Sequence, residues 1–503
     1  MIKLSRKLFS QYSLLGRILF FIFIFGILSF GRIFSIIHIE VHSFPIFVTE
    51  IVLFISLPLI ITNIRELLKI PPLFLNIVFV YFLFGCFYLL GGVLDRNLFS
   101  VRDFVFLCGY MLFLPLALVC FKSLKAMKLF LFIIVFANFI AILVGRILIF
   151  GAHSSWFYAF ISEAKTFQIG MVYGISSAFL LSSYNYLKNK AFRLLILVLV
   201  PINLYMIITF GVRSLWVAVI CLAVFLVLIL GFRIMAKIYL KLLVSFVLIS
   251  TVLFYIDFEV FKSPQLNVFI GRGRSFVCAF ARLSSKFTLP NEYDEATLKK
   301  ELKRNDKPAF SNVQNKLEIG GESGRAGKPL SLNKPDKSVL GKDSERIGYD
   351  NIVWRKKVWK QTIEFTSGSY LFGKGFGHYP AYNIRGYQKP RSAFTDSNII
   401  PTHNFCLTVF YKMGFVGLVL FLFINIYVFY YALRYLKQCK TEFIKLILKG
   451  SLGSLFFLYI MALFFDVIDS PPTSIFLWIL CGLIFGAVEA DKNLMKNVEK
   501  PLR

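Results

Sequence analysis

Residues 401–417, PTHNFCLTVFYKMGFVG, join a long polar segment to an apolar helix. Upstream the chain is a succession of long apolar runs, broken once by the polar and basic residues 259–402. Read outward from this junction, the fold is a bundle of membrane helices with one large excursion. The excursion ends on His403 and Asn404 just as the chain returns to lipid. A titratable imidazole at a boundary between water and lipid, beside a basic loop, can carry chemistry; it can equally well anchor a helix end.

Composition agrees with a membrane protein. Of 503 residues, 57% are hydrophobic and 59 are Phe, with a mean hydropathy of +0.72. Soluble domains sit nearer about 45–50% apolar. A formal net charge of +29 would suggest nucleic acid in a soluble chain. Here much of the Lys and Arg lies in short loops between apolar runs, where membrane topology accounts for it, and no nucleic-acid partner is expected. Most of the eight cysteines fall inside apolar runs and no CxxC occurs. Neither a disulfide framework nor a metal or cofactor site is expected, and the loop holds no HExxH or DxD. The basic-then-apolar N-terminus, MIKLSRKLFSQYSLLGR, has no small-residue cleavage site after it and reads as an uncleaved first helix.

A crossing helix needs about 20 apolar residues. Runs at 18–37, 44–62, 73–93, 104–121, 129–150, 168–186, 193–210, 212–231, 242–258, 404–433, 450–468 and 472–489 meet that need, predicting an all-α polytopic protein of about twelve spans. Alternate connections are rich in Lys and Arg (Arg65 and Lys69; Lys122, Lys125 and Lys128; Lys188, Lys190 and Arg193), whereas 211–213 and 469–472 are nearly free of Lys. That bias predicts both termini on the cytoplasmic side and residues 259–402 outside it. The organisation is then spans 1–9 over 1–258, the loop over 259–402, spans 10–12 over 403–489 and a cytoplasmic tail over 490–503. Within the loop, 284–350 has the composition of a poorly ordered insert. Residues 351–402 predict a helix, with Ile352, Trp359 and Ile363 at helical spacing, followed by a structured glycine-rich turn, TSGSYLFGKGFGHYPAYN.

All five histidines (His38, His42, His153, His378 and His403) fall in loops or at helix ends on the loop side. His403 stands out because Asn404 and a helix follow it. A neutral imidazole can accept a proton from a hydroxyl at physiological pH. Arg213 opens a span in TFGVRSLWVAV, where it can snorkel to the interface or present its planar fork to phosphate oxygens. Arg355 lies on the expected loop helix between Trp354 and Trp359. Glu50, a turn into a span, can line the same cavity. Arg102–Asp103 and Asp466–Asp469 read as charges at helix ends. GKGFGHYP lacks the strand and helix that a nucleotide-binding loop needs.

These residues resemble the O-antigen ligase and polymerase family of bacterial inner-membrane proteins. The likeness is carried by His403-Asn404-Phe405-Cys406-Leu407 with Gly414 and Gly417, by Arg213 with Val217, and by Arg355-Lys356-Lys357-Val358-Trp359 with the glycine loop. It spans roughly 190–430, and departs from the pattern in the 284–350 insert and at His378. The resemblance implies a metal-independent, inverting glycosyltransferase at the periplasmic face. His403 would be the base, and Arg213 and Arg355 would hold the pyrophosphate of an undecaprenyl-pyrophosphate-linked glycan donor. Asn404, Glu50 and His378 are further substrate-binding candidates. The acceptor would be lipid A–core, as for a ligase, or another lipid-linked saccharide, as for a polymerase, with the ligase reading slightly preferred. A lipid-linked glycan flippase or transporter would also show many spans, but it would be expected to have broken helices or internally repeated halves and would not need so large an outer loop. An envelope scaffold leaves the Arg213–Arg355–His403 grouping without a cause.

Overall fold

The computed structural model describes residues 2–257, 354–382 and 402–499, apart from 36, 42, 43, 151–165, 211, 381 and 466–469. The described residues belong to one unit, Met1–Phe269 with Ile352–Arg503. The 284–350 insert, His42, His153, Asp466 and Asp469 therefore lie outside them.

Lipid supplies no partner for a backbone N–H or C=O, so apolar runs satisfy those groups internally as helices. In order these are α1 (Ile2–Phe30), α2 (Val48–Thr62), α3 (Pro72–Leu94), α4 (Phe99–Leu107), α5 (Phe113–Cys120), α6 (Leu124–Phe150), α7 (Thr166–Ser183), α8 (Lys190–Thr209), α9 (Arg213–Leu230) and α10 (Phe232–Tyr255). After the excursion come α11 (354–365), α12 (Phe405–Leu436), α13 (Glu442–Ala462) and α14 (Pro471–Glu499). Among the described residues, nine helical stretches are long and apolar enough to cross a membrane, with α4 and α5 counted as one across the 3₁₀ turn Gly109–Leu112. Leu14–Phe30 and Val48–Thr62 are shorter apolar helices. The chain is an all-α polytopic membrane protein.

Burial sorts the helices. The spans of α13 and α14 are 72% and 94% buried, against 17% for α3 and 11% for α10. The first pair forms the centre, and the second pair turns most of its side chains outward. Alternate helix ends gather on two faces. On one, Lys69 pairs with Glu66 at 2.7 Å and with Glu489 at 3.3 Å, tying the α2–α3 connection to α14. We call this the basic face, and the opposite one, where α10 ends and α12 begins, the loop face.

Several expected boundaries move, among them the starts of α10 at Phe232 and of α13 at Glu442. Residues 44–47 are not helix: β2 (Phe44–Phe47) pairs antiparallel with β1 (His38–Val41), and α2 starts at Val48. Pro45 lacks an N–H but suits an edge strand. The expected tail remains helical to Glu499. The expected single span 404–433 is broken at Gly414, whose φ of 66° and ψ of −167° are not helical. About 20 residues suffice to cross, so Phe415–Leu436 can span by itself, and Phe405–Met413 is a separate short helix leading into it.

Candidate functional site

His403 sits in the left-handed region, φ 52°, a conformation costly for a residue with a Cβ and retained where its surroundings over-determine it. Those surroundings are explicit. Asn404 caps α12, its Oδ1 accepting the Leu407 N–H at 3.1 Å while its Nδ2 donates to the Leu463 carbonyl at 3.2 Å. The Thr402 hydroxyl donates to the Asn404 carbonyl at 2.8 Å and meets the Thr408 hydroxyl at 2.6 Å. From α11, Trp359 Nε1 donates to the Thr402 carbonyl at 2.9 Å. His403 is thus fixed on one side by α11 and on the other by the end of α13.

The same contacts bring Arg355 in. The Trp354 ring meets the His403 imidazole edge-on at 5.2 Å, and Phe465 lies 6.3 Å from that imidazole. The Arg355 guanidinium sits over the Phe465 ring, 5.6 Å from its centre. One aromatic ring therefore meets both the imidazole, in a T-shaped contact, and the guanidinium, which lies over it. Arg355 is half-buried, and the neighbouring Lys356 is exposed.

The face of α11 that packs inward is not the expected one. Val358, Thr362 and Thr366 are completely buried, whereas Ile363 is 45% exposed and Ile352 lies outside the described residues. The two threonines can be buried because each hydroxyl bonds the carbonyl one turn back, Val358 at 2.8 Å and Thr362 at 2.7 Å. A periodicity read only from Ile and Trp misses such residues.

Arg213 reaches the same depth through α7. Gly174 faces Phe457 and Gly453 faces Ala178, so α7 and α13 run antiparallel. Leu215 lies against Gly170, one turn above Gly174. This sets the start of α9, and Arg213 with it, level with the end of α13 where Leu463 binds Asn404. Glu50 is placed differently, in the first turn of α2, with Tyr110 donating to its Oε1 at 3.4 Å. His378 is exposed on the glycine loop. Neither is brought to the Phe465 ring by a described contact.

The glycine loop has a role the sequence reading missed. It enters the break in α12. An unbroken helix would bond the N–H of Phe415 to the Tyr411 carbonyl and the N–H of Val416 to that of Lys412. Instead, Phe415 N–H donates to Tyr370 O at 2.8 Å and Val416 N–H to Leu371 O at 3.1 Å, while Lys374 and Gly375 N–H donate to Tyr411 O at 2.7 Å and Lys412 O at 3.0 Å. All four groups orphaned by the break are satisfied by the loop, as the interior of a membrane protein demands. Gly373 and Gly414 touch so closely that neither has room for a Cβ.

A buried ion pair locks this junction. Asp103, 2% exposed, receives the ammonium of Lys412, itself 3% exposed. Asp103 also accepts the Gly377 N–H at 2.8 Å and the Tyr379 hydroxyl at 2.7 Å. Lys412 lies over the Tyr379 ring at 4.0 Å. Asp103 is therefore not a boundary charge but the anchor of the loop. A lysine inside the apolar run FCLTVFYKMGFVG was the available signal. A second pair on the loop face, Arg146 Nη1 donating to both carboxylate oxygens of Asp257 at 2.7 and 2.8 Å with Tyr205 donating at 2.5 Å, fastens α6 and α8 to the end of α10.

Among the described residues, no group of three or more His, Cys, Asp or Glu could hold a metal ion. No protein-family model matches the chain, and no curated protein is found similar to it. Fold and geometry define a class: a polytopic helical membrane protein with an imidazole and a guanidinium gathered on one aromatic ring at the loop face.

Proposed function

We propose that this chain transfers a glycan from an undecaprenyl-pyrophosphate-type carrier to a saccharide hydroxyl, at the loop face of a bacterial inner membrane. That face would be periplasmic, with both termini cytoplasmic as the Lys and Arg bias of the connections favours. The observation that carries the reading is the meeting of His403 and Arg355 at Phe465. In the reaction His403 takes the proton of the acceptor hydroxyl, and its oxygen attacks the anomeric carbon. The carbon–oxygen bond to the diphosphate breaks, and the electron pair leaves with the diphosphate. One displacement inverts that carbon. Arg355 and Arg213, rather than a metal, take up the charge that develops on the leaving group, which planar guanidinium forks suit. Asn404 seats the base. Glu50 and His378 are given no step.

The test is reconstitution of the full chain in vesicles with a lipid-linked pyrophosphate glycan, offered lipid A–core or a second lipid-linked saccharide as acceptor. Transfer to the first is the ligase outcome and to the second the polymerase outcome. His403→Ala, inserted and expressed as the parent, should lose transfer by at least about 10²-fold, the contribution of a placed base. Undiminished transfer by that variant removes the base assignment.

A further inference from the structure

The basic face carries a site of its own, remote from His403. Where α12 and α14 end beside Pro71, a cleft of about 610 Å³ opens at the edge of the apolar spans. Arg434, Lys440, Lys492 and Lys496 line it, and all four are exposed. Basic residues at a helix end are ordinary at a membrane surface; two further features make this a cleft for something particular. Asp491 forms part of its wall, is 2% exposed, and uses only one oxygen: Oδ2 accepts the Tyr435 hydroxyl at 2.9 Å, while Oδ1 is buried without a hydrogen bond. The Cys439 thiol, a weak neutral donor, lies beside the same carboxylate and 3.6 Å from the Thr441 carbonyl. Tyr427, Tyr430 and Tyr431 are also in the wall, with Tyr427 and Tyr431 stacked on each other at 6.3 Å.

We infer that this cleft binds the headgroup of a phosphoethanolamine phospholipid in the leaflet it meets, phosphate among the basic side chains and ammonium against Asp491 and the tyrosine rings. An unfilled carboxylate oxygen calls for a charged donor, and tyrosine faces attract a cation. A headgroup with phosphate alone satisfies the lysines and leaves Asp491 as it is. The acyl chains of such a lipid would run along α3 and α12, where Leu73, Ile426 and Tyr430 are exposed.

The full chain, solubilised and stripped of lipid, is titrated with phosphatidylethanolamine, phosphatidylglycerol or phosphatidylcholine and bound lipid is counted by native mass spectrometry. Glycerophosphoethanolamine without acyl chains serves as a competitor. Expected is about tenfold tighter retention of phosphatidylethanolamine than of phosphatidylglycerol, the worth of one charge-assisted hydrogen bond. Asp491→Asn should erase that preference. Lys492→Ala with Lys496→Ala, both at exposed positions of a long helix, should weaken all phosphate-bearing lipids together. Equal retention of the two headgroups, or a preference unchanged in a well-folded Asp491→Asn, overturns the ammonium assignment. Competition by the chainless headgroup as strong as by the lipid overturns the lipid source.

Discussion

Lys412→Met is the perturbation that most directly probes how the glycine loop is held in the membrane domain. Asp103 has three donors, the Lys412 ammonium, the Gly377 N–H and the Tyr379 hydroxyl. Removing the ammonium leaves a carboxylate 2% exposed with two neutral donors, and breaking one partner of a buried pair costs about 3–5 kcal/mol. Asp103→Asn alone leaves a buried ammonium without its carboxylate; the Tyr379 ring beneath it, worth about 2 kcal/mol when desolvated, offsets only part of that cost. The two changes together remove both charges. The side-chain amide that replaces the carboxylate in the double variant can still accept from Gly377, and replacing both partners of a buried ion pair is often close to neutral. The singles should therefore not add; their coupling should be on the order of 3 kcal/mol, at the upper end for residues in contact. The assay is the unfolding midpoint of the solubilised full chain, followed by tryptophan fluorescence, for parent, singles and double. Lys412→Met should melt lowest and the double variant should recover most of the loss. A single variant that melts with the parent, or losses that add, would refute the reasoning.

Three other outcomes follow from the same geometry. Gly414→Ala should fail to accumulate, because its φ of 66° and the contact with Gly373 exclude a Cβ, whereas Gly91→Ala, with open space around it, should express normally. Arg146→Met should destabilise by about 3–5 kcal/mol by leaving the Asp257 carboxylate with the neutral Tyr205 hydroxyl and no guanidinium, and Asp257→Asn in the same chain should restore much of it, read in the same melting assay. In the reconstituted transfer assay Arg355→Lys should retain part of the activity that Arg355→Ala loses, since charge is kept and the fork is not; a Lys variant as fast as the parent would refute bidentate recognition.

The helical runs were legible because length and hydropathy alone decide them: a stretch such as FRIMAKIYLKLLVSFVLISTVLFY has no other way to satisfy its backbone in lipid. What escaped was set by contacts distant in sequence. Nothing near Asp103 announces that Lys412 and Gly377 will reach it, and a lysine in an apolar run can be satisfied by many acids. The break at Gly414 was hidden because its flanks are uniformly apolar, so hydropathy reads through it. The strand Phe44–Phe47 was likewise submerged in an apolar run, although Pro45 marked it. On α11 the inward face was obscured by buried threonines, whose hydroxyls count as polar until their partners one turn back are known. Arg355 and His403 could be named from the sequence, but their meeting point, Phe465, could not.

The consequence for the loop face concerns rigidity. A helix as short as Phe405–Met413 is marginal by itself, since nucleation is costly and few bonds follow it. Here both of its ends are fixed by other elements. At the first, Asn404 and Thr402 tie it to α13 and α11. At the second, four backbone bonds from the glycine loop and the Asp103–Lys412 pair close it. His403 stands at the first of these fixtures with a backbone conformation that the surrounding bonds impose. A group held this way loses little freedom when a reactant arrives, and misplacement by even about 1 Å can cost as much as 10²-fold in rate. Residues 354–380 are therefore part of the membrane domain. Loosening the loop at Lys412, far along the short helix from the imidazole, should lower the turnover of any reaction His403 serves before it alters the binding of a donor held by Arg355.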